Sequence, residues 1–335
     1  GKQHFIPLPP LRWKGFETQV HFLKTCAFKN GNAPTGAYIE QHDIDFLGIK
    51  TPPNETDQPI PQQLLMLDVA DRALKDSNID RGGKVGVIVA MGTELAIHQY
   101  LGRCDLSWQI KAGLKNAGIV LSPDQEAQLE TLAKDALHNP AQVNQYTSFI
   151  GNIMAGRIAA LWDFTGPAFT LSAEENSVPR ALEVAQMFLS NGEVDAVMVG
   201  AVDLSGGLEH VLMRNVMASS NEKDEQTRNI EQHTNGWTVG EGAGAVVLKR
   251  FKDVQKTQDR IYATIDAISL HPQKTDSDIQ RTCKEALNLA QKDPSDIAYI
   301  EMSGSGIETE DQKELEGLIK VYGSESPELN CAIGS

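Results

Sequence analysis

The chain has 335 residues, of which 41% are hydrophobic and 22% charged, the proportions of a globular protein with ample core. Its 30 Lys and Arg stand against 45 Asp and Glu, and the formal net charge of −15 excludes nucleic acid and anionic membrane, which select basic surface. No apolar run approaches the roughly 18 residues of a membrane span, and Gly1 to Pro7 form no signal-peptide core, so a cytoplasmic protein is expected.

Residues 1–60 are rich in proline and turns, among them Pro9-Pro10, Pro34, Gly36 and Pro52-Pro53, and long regular elements are not expected there. Leu64, Leu65, Leu67, Val69, Ala70, Ala73 and Leu74 then keep helical spacing, which predicts a helix through Ser77. After Gly82-Gly83 the run Val85 to Ala90 reads as a buried parallel strand. Helical patterning covers Glu94 to Ala117 with an interruption near Asp105, and Pro123 to Leu137 reads as an amphipathic surface helix. Ser148 to Leu161 is a helix whose Gly151, Ala155, Gly156 and Ala159 favour close packing.

Gly166-Pro167 punctuates the chain before a strand predicted over Ala168 to Ala173 and a helix over Val178 to Gln186. Further strands are predicted at Val194 to Val202, Ala243 to Leu248, Ile261 to Ile268 and Ile297 to Glu301. Helices are predicted at Asp276 to Gln291 and Glu308 to Tyr322, and residues 219–235 read as a polar surface loop. Alternation of strands and helices implies an α/β chain with a parallel sheet and right-handed crossovers. The order begins again after residue 260, suggesting two similar halves.

Cys26, Cys104, Cys283 and Cys331 lie far apart and are expected as free thiols. The eight histidines form no H-x-x-x-H pair and none neighbours a cysteine, so no metal site is read. Gly240-Glu241-Gly242-Ala243-Gly244 has neither the G-x-G-x-x-G spacing nor the following helix of a phosphate loop, and reads as a tight turn into a buried strand. The turn between Ala168 and Val178 carries Glu174, Glu175, Asn176 and Ser177. A helix start there would stabilise a reactive thiolate, yet no cysteine is present. A glutamate in that place would cap the free N–H groups and stay ionised.

Several stretches together resemble the β-ketoacyl synthases, the thiolase-fold condensing enzymes of fatty acid and polyketide synthesis. Arg12-Trp13 is similar to their R-W motif, Asp45 to Ile49 to F-F-G-I, and Pro61 to Leu65 to P-Q-Q-R-L-L. Ala155-Gly156-Arg157-Ile158 with Gly166-Pro167 matches the approach to the nucleophile, and Val239 to Gly244 the R-G-E-G-A-G turn. Ile300 to Gly306 sits where the family has V-E-A-H-G-T-G-T. The resemblance implies a layered α-β-α-β-α thiolase-like fold of two βαβαβ-type halves: residues 1–250, with surface insertions, and the start of a second half in 251–335. The family's first strand and the segment beyond Gly334-Ser335 are expected to be lacking.

By the same resemblance Glu175 stands at the nucleophile position and Ser303 at the first histidine, so no catalytic residue is intact. Gly166, Pro167, Glu174, Asn176, Glu241, Gly242 and Gly304 would belong to a vestigial pocket and its turns. The pattern is similar to chain-length-factor domains of polyunsaturated fatty acid synthases. These imply pairing with an active ketosynthase domain, carrier-protein partners bearing phosphopantetheine, and a homodimer in isolation, with no cofactor or metal held by the chain itself. The alternative is a loading-type decarboxylase acting on malonyl-carrier protein through Glu175.

Overall fold

The computed structural model describes residues 5–28, 30–51, 59–137, 140, 143–217, 236–257, 259–271, 276–323 and 331–334. Among the described residues the N-terminal region contributes a 3₁₀ turn (Phe16–Thr18), a short helix α1 (Val20–Thr25) and a two-residue strand β1 (Gly36–Ala37). Then come α2 (Pro61–Asp76), β2 (Val85–Ala90), α3 (Ile97–Ala117), α4 (Pro123–Leu137), α5 (Val143–Ser148) and α6 (Gly151–Leu161). They are followed by β3 (Ala168–Leu171), α7 (Ser177–Ser190), β4 (Ala196–Asp203), α8 (Leu208–Met217), β5 (Val239–Gly240), β6 (Gly242–Lys249) and α9 (Phe251–Thr257). The remainder is α10 (Asp276–Ala290), β7 (Tyr299–Glu301), α11 (Glu308–Tyr322) and β8 (Ala332–Gly334).

The principal sheet has the order β3-β2-β4-β6. All six residues of β2 are buried, as befits a central strand covered on both faces. Its alternation divides the core. Val87 and Val89 point to the face covered by α2 and α6, with Met66, Leu74, Met154 and Ile158. Ile88 and Ala90 point to the other, where Ala181 and Ala185 bring α7 close to the sheet.

Pro61 starts α2 at a position where a missing N–H costs nothing. That helix is buried almost all round, and most of its buried polar residues are matched, Gln62 Oε1 being the exception. Gln63 Nε2 donates to the Ser148 carbonyl at 2.8 Å, and Arg157 Nη1 donates to Gln63 Oε1 at 2.9 Å. The indole of Trp162 donates to Asp71 at 3.2 Å, and Asp68 meets both His42 and Arg72 at 2.9 Å. A second, two-stranded sheet pairs β7 with β8 in parallel, packed on α10 and α11 through Ile279, Met302 and Leu318.

Several expectations need correction. The sheet is mixed, because β6 runs antiparallel to β4 from Lys249↔Ala196 to Gly242↔Asp203. β6 alternates exposed and half-buried residues instead of being a buried strand. β3 is half-buried and lies at a sheet edge. α3 continues through Asp105; the helix has no buried residue, so an aspartate there disturbs no packing. Ile261 to Ile268 forms no strand, since the stretch has no ladder partner among the described residues. Gly156 is exposed, while Ala155 and Ala159 pack as expected. The expected loop at 219–235 lies outside the described residues.

Candidate functional site at the carboxyl edge of the sheet

The parallel strands β2, β3 and β4 end side by side, with Ala90 opposite both Leu171 and Ala201. The loops that follow them leave one sheet edge, the place where open α/β sheets hold ligands. Gly166 sets β3 against β2. A Cβ there would stand 2.3 Å from the Val85 carbonyl oxygen, so only glycine lets the strands close. Pro167 follows, and its carbonyl accepts from the Val87 N–H at 2.8 Å.

Beyond β3 the chain makes one 3₁₀ turn, Glu174–Asn176, and enters α7. Glu174 has φ +54°, the left-handed region that non-glycine residues rarely occupy. Ser177 fixes this turn. Its Oγ accepts from the Ala173 N–H at 2.9 Å and donates to the Glu174 carbonyl at 2.6 Å, and the residue is buried. The Asn176 N–H donates to the Ala173 carbonyl at 3.0 Å. Glu174, Glu175 and Asn176 are all exposed. The cap expected of Glu175 is not formed, since neither the 3₁₀ turn nor α7 has a side-chain cap. Sequence reasoning passed over Ser177, although a serine at the first helical position is itself a signal.

Ser303 follows β7 in the second sheet. It is exposed, and its N–H donates to Glu314 Oε1 at 2.9 Å. Asp311 holds the next residues, accepting from Ser305 Oγ at 2.9 Å and from the Gly306 N–H at 3.1 Å. Gly304 and Gly306 have φ of +56° and +76°, a region that favours glycine, and a Cβ at Gly306 would also crowd the Gly236 carbonyl oxygen. Among the described residues no hydrogen bond or ion pair joins this loop to the turn at Glu175.

The Glu241 side chain is wholly buried and bound by three donors. Arg12 Nη2 makes a short ion pair with its Oε1, which also accepts from the Gly206 N–H at 3.1 Å, while Oε2 accepts from the Ile39 N–H at 2.8 Å. The Trp13 indole N–H donates to the Gly206 carbonyl at 3.0 Å. The carboxylate thus ties the N-terminal segment, the end of β1 and the loop after β4 to the start of β6. Gly242 begins that strand opposite Asp203. Burial, with the Glu241 charge adding to it, pushes the nearby Tyr38 phenol far above its ordinary range.

All four cysteines are free, and none lies on the turn after β3. Among the described residues no Cys, His, Asp and Glu group is arranged to hold a metal ion, and no helix is long and apolar enough to cross a membrane.

Comparison with known proteins places these elements in context. The family model described as "Beta-ketoacyl synthase, N-terminal domain" matches residues 1–254, and "Beta-ketoacyl synthase, C-terminal domain" matches 264–335. A solved structure titled "PfaC Keto synthase-Chain length factor" is 43% identical with a TM-score of 0.88, covering 99% of this chain and 34% of that one. A polyunsaturated fatty acid synthase polypeptide of Thraustochytrium sp. is 34% identical over 304 residues, 90% of this chain. The present chain spans only 14% of that polypeptide's length. The ketosynthase from module 6 of the bacillaene synthase of Bacillus subtilis 168 shares the fold at 24% identity and a TM-score of 0.60, over 87% of this chain and 47% of that one.

Proposed function

Since this chain belongs to the β-ketoacyl synthase family and has its thiolase-like fold, we propose that it is a chain-length-factor-type domain without condensing chemistry of its own. In this reading it pairs with an active ketosynthase and helps set acyl length in polyunsaturated fatty acid or polyketide synthesis. The observation that carries it is the turn after β3. Glu174 and Glu175 are exposed there, and by the family resemblance they would stand where a condensing enzyme needs a thiol to accept the acyl group, with Ser303 of the loop after β7 in place of an imidazole. A carboxylate is a poor acyl acceptor, and a hydroxyl cannot take up enolate charge as a protonated ring does.

The carrier protein's phosphopantetheine arm would bring the acyl substrate. The two carboxylates at the turn offer that arm no acyl-accepting group and repel its phosphate, so acyl transfer falls to the partner. The edge strand β3 supports pairing. Thr170 directs its N–H to the Asn152 side chain at 3.1 Å rather than to another strand, and the outer side of β3 has no ladder partner among the described residues.

Co-expression with the ketosynthase domain of the same synthase tests the reading. A stoichiometric mixed complex whose product length changes on altering this chain is expected; absence of any complex would sink it. The competing reading, decarboxylation of malonyl-carrier protein, draws on the unpartnered carboxylate of Glu175. Incubation of this chain alone with malonyl-loaded carrier protein is expected to give no acetyl product. Acetyl product that disappears in Glu175→Gln would replace the first reading with the second.

A further inference from the structure

Two ionisable side chains with no part in that reading meet at the same sheet edge. Glu94, on the loop after β2, is 12% exposed, and His210, in the first turn of α8, is 21% exposed. The His210 Nε2 lies 3.1 Å from the Thr93 carbonyl oxygen. A carbonyl oxygen only accepts, so Nε2 carries a hydrogen. It is therefore Nδ1 that faces Glu94 Oε1, at 3.9 Å.

That assignment limits the charge states. With neither group protonated further, a lone pair on Nδ1 confronts a poorly hydrated carboxylate. One added proton removes the conflict, giving either imidazolium beside carboxylate or neutral imidazole beside carboxylic acid. The remaining surroundings deepen the need for it. Asp203 at the end of β4 and Glu209 on α8 both add negative charge at Glu94. Lys14, whose charge acts on Glu209, donates to Gln99 Oε1 on α3 at 2.8 Å, and Gln99 Nε2 in turn donates to Glu209 at 2.9 Å. Glu94 Oε1 also accepts from the Ala96 N–H at 3.0 Å.

We propose that Glu94 and His210 hold one proton between them, and that this proton latches the loop after β2 onto α8 at the carboxyl edge of the sheet. When the pair loses it, the Glu94 carboxylate seeks water and draws the loop away from α8. Desolvation, the largest influence, pushes the Glu94 carboxyl above the ordinary glutamate range. The Ala96 N–H and His210 pull it down, and the acids Glu209 and Asp203 raise it. The sign follows: the latched state binds more protons than the released one, so the latch weakens as pH rises through the titration of the pair.

Hydrogen exchange of the full chain, followed by mass spectrometry from about pH 6 to about pH 10 and referred to intrinsic exchange rates, tests this. Protection over residues 91–99 is expected to fall by about tenfold or more with rising pH in the unaltered chain, and to stay level in Glu94→Gln, which cannot ionise. His210→Phe, lacking the bond to Thr93, should exchange fast at every pH. Equal pH dependence in the unaltered chain and Glu94→Gln would overturn the proposal. Should a variant fail to fold, histidine-selective NMR of the unaltered chain decides. A His210 ring signal with a second inflection supports the latch, and one inflection like that of a free imidazole refutes it.

Discussion

Removal of the Glu241 carboxylate is the most informative perturbation of this fold. In Glu241→Ala the Ile39 and Gly206 N–H groups lose their acceptor in a buried place, at about 1–3 kcal/mol each, and the charge-assisted bond from Arg12 is lost as well. Arg12 is 29% exposed and its guanidinium swings into water, so the total expected is about 3–5 kcal/mol. Arg12→Ala leaves a buried carboxylate that keeps its two backbone donors, and about 2–3 kcal/mol is expected. The double variant should be little worse than Glu241→Ala alone, which gives a coupling of about 2 kcal/mol. Urea unfolding followed by tryptophan fluorescence reads this directly, because Trp13 and Trp237 are buried in the cluster that the clamp closes. Additive effects, with coupling below about 0.5 kcal/mol, would refute the reasoning and leave Glu241 a mere neighbour of Arg12.

Ser177→Ala removes both hydrogen bonds that hold the turn after β3 and should cost about 1–3 kcal/mol in the same assay, whereas Glu175→Ala, exposed and unpartnered, should cost under about 0.5. Gly166→Ala forces a methyl against the Val85 carbonyl and should destabilise by about 1–3 kcal/mol, with looser exchange of the β2 and β3 amides. Burial raises the phenol of Tyr38, with Glu241 adding to it, and that of Tyr322, with Cys283 adding to it. Both stay protonated in the folded chain above their unfolded value of about 10, so stability should fall as pH rises beyond that point. Spectrophotometric titration checks this: Tyr38→Phe should leave the absorbance rise between about pH 9 and pH 11 unchanged while the chain stays folded.

Much of the fold was legible because periodicity reports burial. The continuous run Val85 to Ala90 is the central strand, and the apolar spacing from Leu64 onward is the most enclosed helix. Strand direction is not carried by such patterns. Ala243 to Leu248 would read the same running either way, and only the return of the chain from α8 makes it antiparallel. Ile261 to Ile268 has the composition of a strand, but a ladder needs a neighbour that no local signal supplies. At the sheet edge, the turn at Glu174 to Ser177 was visible from its position between strand and helix. His210 was passed over as one of eight scattered histidines, because Thr93, its partner, lies 117 residues away. The clamp on Glu241 was hidden for the same reason, since a G-E-G-A-G turn announces its backbone and not what its carboxylate will bind.

The Glu241 clamp also imposes an order of events on the nascent chain. Arg12 and Glu241 are 229 residues apart, and Ile39 and Glu241 are 202 apart. At about 5–20 residues per second, roughly ten to fifty seconds of synthesis separate the first partner from the last. For that interval residues 5–39, poor in helix and rich in proline, lack the Glu241 carboxylate as an acceptor, while α2, β2, α6 and β3 can already assemble. The segment around Arg12 and Ile39 therefore cannot take up its final contacts until Glu241 has been synthesised.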